Sequence, residues 1–223
     1  MTAQFWKVLV TVAVFIPATL LPIINPLVGA PIFSSMTRGS ERLARTMAER
    51  VAINCFFLLA GALLIGGYVL ELFGLSIPIV RVGGGLVVAS TGWRLLNDFD
   101  QDQVQRSVAD SLGEMSTAEI ARRSFLPMSF PLTVGPGSIA AAITLGSKRP
   151  EQPADLLPGV TGGFIGLMIV TLVIYLAYRY STPLLNRLGE TGAIVLTRLA
   201  AFILLCIGVD ILWSGLSELI RLG

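Results

Sequence analysis

Two short stretches of this sequence carry the residue types that could bind a solute inside an apolar environment. The first is Asn25-Pro26-Leu27-Val28-Gly29-Ala30-Pro31-Ile32-Phe33, and the second is Pro131-Leu132-Thr133-Val134-Gly135-Pro136-Gly137-Ser138-Ile139. Each lies inside an apolar run long enough to cross a bilayer. Proline has no amide donor and clashes with the preceding turn, so each stretch should open its helix. A helix that restarts in the gap presents amide donors and a positive dipole end, which favour a carboxylate. A helix that stops there presents carbonyl oxygens to a cation. Two breaks running in opposite directions therefore suit a zwitterion without a buried charged side chain.

Within these stretches, Gly29, Gly135 and Gly137 let the backbone approach a ligand closely. Donors are expected near Val28-Gly29 and Gly137-Ser138. Side-chain contacts are expected from Asn25, Thr133 and Ser138, with Pro26, Leu27 and Pro136 completing the two lips. The crowding of prolines and small residues points to a small solute. The competing reading is that Pro and Gly only kink packed membrane helices, which tolerate both.

Four further residues are candidates for coupling or gating, because polar and ionisable groups within a span are costly. Asp210 either carries a coupling proton or Na⁺, or sits near the outer interface. Arg81 and Arg198 either bind a carboxylate or snorkel to tie helix ends. Asn54 reads as an interhelical hydrogen bonder or a ligand. Cys55 and Cys206 read as small buried apolar residues. The chain has no histidine, which removes the commonest general base and metal ligand. No Ser or Asp pair stands at catalytic spacing. No enzyme, resident cofactor or metal site is expected.

The elements that must position these residues follow from composition. The chain is 54% hydrophobic and 13% charged over 223 residues, against about 25% charge in soluble domains. With repeated apolar runs, this predicts an all-α membrane protein filling residues 1–223 as a single domain. The net charge of +2 leaves no electrostatic footprint for nucleic acid. Six spans are predicted, at 5–36, 47–70, 77–97, 124–145, 158–180 and 193–216. A polar cytoplasmic loop is predicted at 98–123, with Ser116 capping a short helix.

Asn25 stands 13 residues before Arg38, and Gly135 stands 13 before Lys148, which predicts breaks in helices 1 and 4 near mid-bilayer. Arg81 and Arg198, early in spans three and six, add a weaker match. The chain thus reads as two three-helix repeats, 1–97 and 124–223. Three is odd, so the second repeat is inverted relative to the first. Ten arginines flank the odd-to-even loops, against four basic residues on the other face, which predicts both termini outside the cytoplasm. Trp6, Trp93 and Trp213 suit an aromatic belt.

The pattern Asn25-Pro26-Leu27-x-Gly29-x-Pro31-Ile32-Phe33 with Pro131-Leu132-x-x-Gly135-Pro136-Gly137-x-Ile139 resembles the MarC family, the MarC/SnatA group. Gly83-Gly84-Gly85 after Arg81 agrees, and the resemblance covers essentially the whole chain. Ala30 stands where the family commonly has a polar residue, which argues against a side-chain ligand there and leaves the backbone break. The resemblance implies a multi-pass bacterial inner-membrane protein related to LysE-type exporters. It implies a secondary transporter of small neutral amino acids such as glycine or alanine, working by alternating access with H⁺ or Na⁺ as the coupling ion. Its partners would be the lipid bilayer and a zwitterionic solute, and a homo-oligomer stays open. Two other readings stand beside it: a passive channel or exporter of small metabolites or drugs, and a non-transporting membrane scaffold or sensor.

Overall fold

The first helix, α1 (Thr2–Ile24), contains Pro17 and Pro22 and runs through both without breaking. It ends at Asn25, whose φ of 40° is the only positive value at a non-glycine among the described residues. Asparagine tolerates the left-handed region better than most residues, and a residue before proline is pushed away from the α region. Pro26 then opens α2 (Pro26–Thr37), a position where its missing donor costs nothing. The Asn25 amide still donates to the Leu21 carbonyl at 2.9 Å.

A computed structural model describes residues 2–37, 40–97, 117–147 and 155–222. Within them α2 is followed by α3 (Glu41–Leu72), α4 (Ile77–Asn97) and α5 (Thr117–Arg123). A wide-turn segment (Ser124–Thr133) then leads to α6 (Pro136–Gly146), α7 (Leu156–Arg179) and α8 (Ser181–Leu222). Among the described residues there is no strand. The helix α3 starts several residues before the predicted span, because Ser40 caps it by accepting the Leu43 amide. It ends on Gly74 at φ 66°, with Leu75 N on Leu70 O and Gly74 N on Glu71 O, the paired bonds of a Schellman end. The short helix predicted within the loop at 98–123 is present at 117–123, with Arg123 bonded to Glu119 one turn back. Ser116 and the rest of that loop lie outside the described residues.

Four helices are long and apolar enough to cross a membrane, and the bent pair Ala118–Thr133 and Pro136–Gly146, meeting at 70°, brings the number to five. The remaining predicted span, α4, has 21 residues, but Arg81, Arg94 and four glycines dilute its apolar character. It lies instead along α8, antiparallel to it, on a seam of glycines. A Cβ on Gly85 would meet Leu212 N at 2.5 Å and one on Gly92 would meet Leu205 N at 2.5 Å. From the other side, Gly208 is pressed on Ala89 and Gly215 on Pro78 and Val82. Small residues let membrane helices approach this closely. Arg81 and Glu218 form an ion pair between the same two helices.

Elsewhere α1 runs beside α7, with Gly162 against Leu9 and Gly166 against Ala13 and Ile16. The helix α3 packs on α6, where Gly146 meets Leu63 and Gly66 meets Ile143. The core collects Phe33, Met47, Cys55, Met128 and Tyr178 from four of these segments, with Val134 from the second break. Trp6, Trp93 and Trp213 are all exposed, as a belt requires. Cys206 is exposed rather than buried as predicted, because it lies on the outer side of α8.

The candidate site between the two breaks

The first break positions a slot. Gly29 and Phe33, one turn apart on α2, share a face. The Tyr178 ring of α7 fills that face: it stacks on Phe33 with centroids 4.8 Å apart and planes 14° from parallel. A Cβ on Gly29 would lie 2.6 Å from the Tyr178 hydroxyl oxygen. Only glycine leaves room for the phenol.

The second break supplies the partner of that hydroxyl. Leu126 and Phe130 are extended (φ −113°, ψ 121° and φ −130°, ψ 128°), each before a proline, and both X-Pro bonds are cis. The prolines withdraw donors from the segment, and its own hydroxyls answer the carbonyls. Ser129 Oγ donates to Ser124 O at 2.6 Å, and Thr133 Oγ1 lies 2.6 Å from Met128 O. Such re-satisfaction is what a low-dielectric surrounding demands of an opened backbone. Thr133 Oγ1 also lies 2.7 Å from Tyr178 Oη. Cys55 of α3 lies beside the Ser129 and Thr133 hydroxyls.

The cluster carries no charged side chain, and it is sealed. Tyr178, Cys55 and Ser129 are 0% exposed and Thr133 is 2% exposed. Tyr178 is the residue before the last of α7, whereas Cys55 is near the middle of α3. The first break follows an α1 that runs through its two prolines for 23 residues, about 34 Å.

The structure brings Gly29 and Thr133 together through Tyr178. Pro26 is buried beside them in sequence, whereas Asn25 and Leu27 are half-buried. Gly135 approaches Pro131 O, and Pro136 is exposed. Ser138 is buried, with its hydroxyl donating to Gly135 O at 2.9 Å. Gly137 faces α4, where Val88 fills the space in front of it. Val28 has a described backbone only. Asp210 and Arg198 are exposed on α8, Asn54 is half-buried on α3, and Arg81 is held by Glu218. Sequence reasoning missed Tyr178, Cys55 and Ser129. One signal was available for Tyr178: a tyrosine in an apolar helix needs a partner for its hydroxyl.

A family model described as MarC family integral membrane protein matches residues 8–220. The chain belongs to the MarC family. The inner membrane protein MarC of Escherichia coli O157:H7 is 31% identical over 212 residues, covering 91% of this chain and 92% of that protein. Proteins of the same name from Escherichia coli K12 and Shigella flexneri are each 30% identical over 210 residues, with the same coverage. No solved structure matches the chain. With its apolar helices, the MarC-family membership makes this an inner-membrane, multi-pass protein, and the broken stretches fall inside the matched region.

Proposed function

We propose that this MarC-family protein is a secondary transporter of small neutral solutes, of the glycine and alanine class, working by alternating access between two inverted three-helix halves. The observation that carries this reading is the meeting of the two breaks: Gly29 of one and Thr133 of the other close on the same buried hydroxyl of Tyr178. Broken helices that meet in the interior are where secondary transporters hold their solutes.

The packing supports an inverted repeat. Exchanging α4 with α8 turns the contact of Gly85 with Leu212 into that of Gly208 with Ala89. It likewise turns the contact of Gly92 with Leu205 into that of Gly215 with Val82. The same exchange turns α1 on α7 into the wide-turn segment on α3, and α2 on α7 into α6 on α3. Closure of the cluster to 0–2% exposure favours a gated transporter over an open channel. With the basic residues of the odd-to-even loops on the cytoplasmic side, both termini face outward and the Arg179 end of α7 faces inward. H⁺ or Na⁺ would couple the movement.

The test is uptake of labelled glycine and alanine by purified protein in liposomes under an imposed proton or sodium gradient. Saturable accumulation against the glycine gradient is expected. Downhill, non-saturating flux would replace the transporter with a channel, and no flux for any small amino acid would overturn the reading.

A further inference from the structure

Tyr178 does more than link two breaks. Its ring is held flat on Phe33, its hydroxyl lies 2.7 Å from the Thr133 hydroxyl, and it leaves Gly29 no room for a methyl group. No part of this side chain is exposed. The phenol therefore fills the whole gap between the breaks, and a solute can reach Thr133 and Gly29 only by taking its place. We propose that Tyr178 is the specificity-determining residue of the solute site, rotating off Phe33 as a gate. This inference rests on the transporter reading and deepens it. The volume released is that of one phenol, lined on one side by a glycine backbone and on the other by hydroxyl oxygens. That space suits an amino acid with no side chain or a methyl, and it excludes branched side chains. The gate opens on the Arg179 end of α7, since only Arg179 follows Tyr178 in that helix.

Cys55 provides an independent readout, because it is fully buried beside Thr133 and becomes accessible only when the phenol moves. In a Cys206→Ser background, Cys55 is reacted with a small water-soluble methanethiosulfonate, alongside uptake of labelled glycine, valine and leucine. Tyr178→Ala should label about a hundredfold faster than the parent, as expected when a sealed region is opened locally, and should accept valine and leucine. Tyr178→Phe keeps the ring on Phe33 and loses one hydrogen bond, so it should label about fivefold faster. This variant carries the test if Tyr178→Ala does not assemble.

Labelling at the parental rate in the variants that assemble, with an unchanged solute range, would overturn the proposal while glycine transport stands. If the parent moves no amino acid, the transporter reading and the solute-selecting role fall together. Labelling then still decides whether Tyr178 closes the gap.

Discussion

Thr133 and Tyr178, 45 residues apart in sequence, place their hydroxyl oxygens 2.7 Å from each other in a fully buried contact. Removing the Thr133 hydroxyl leaves that of Tyr178 unsatisfied, whereas removing the Tyr178 hydroxyl leaves Thr133 bonded to Met128 O. Thr133→Val should therefore lower stability by about 1–3 kcal/mol, and Tyr178→Phe by less, about 0.5–1.5 kcal/mol. The double variant should cost clearly less than the two together, because the unpaired group is gone. Thermal unfolding in detergent measures all three, and strict additivity would show that the two hydroxyls do not depend on each other.

Gly29 offers a sharper coupling. Its added Cβ would sit 2.6 Å from the Tyr178 hydroxyl oxygen but 3.3 and 3.4 Å from the nearest ring carbons. Gly29→Ala should therefore destabilise by about 1–3 kcal/mol through overpacking. Adding Tyr178→Phe, which deletes the clashing oxygen, should recover more than half of that loss. Equal losses in both backgrounds would mean that the glycine serves α2 itself rather than the phenol.

From sequence, Gly137→Val is expected to abolish solute binding while leaving expression near normal. In the structure, Val88 fills the space in front of Gly137, which favours a packing lesion. Gly137→Val should instead reduce the yield of folded protein, and Val88→Ala in the same chain should restore it. Size-exclusion profiles in detergent distinguish a packing lesion from a binding one.

The glycine seam predicts paired effects. Gly85→Leu and Gly208→Leu each drive a side chain into the backbone of the opposing helix and should each cost more than about 3 kcal/mol or abolish folding. Gly61 and Gly83 face open space, so Gly61→Ala and Gly83→Ala should be neutral or stabilising by up to about 1 kcal/mol. Thermal stability in detergent checks all four, and a severe Gly83→Ala defect would contradict the packing.

The breaks were legible because proline, glycine and asparagine act on their own backbone. Asn25-Pro26 and Gly135-Pro136 each mark where a helix restarts, and each does restart there. Which proline breaks the first span was less legible, since those at 17 and 22 carry the same local signal and leave α1 intact. Tyr178 was not legible as part of the site, because its role comes from contacts with Gly29, Phe33 and Thr133, all far away in sequence. The sequence match of Arg81 with Arg198 was likewise local. The packing pairs Arg81 with Glu218, and the equivalence between the third helices runs through their glycines instead.

That seam has a further meaning. Each of the two helices carries two glycines seven residues apart, at 85 and 92 and at 208 and 215, and each meets the other by the same contacts read in reverse. One half of the chain thus contains both faces of its own interface. Each helix both receives the other's backbone on its glycines and presses its own backbone on the other's, so a change on one side of the seam has a matching change on the other.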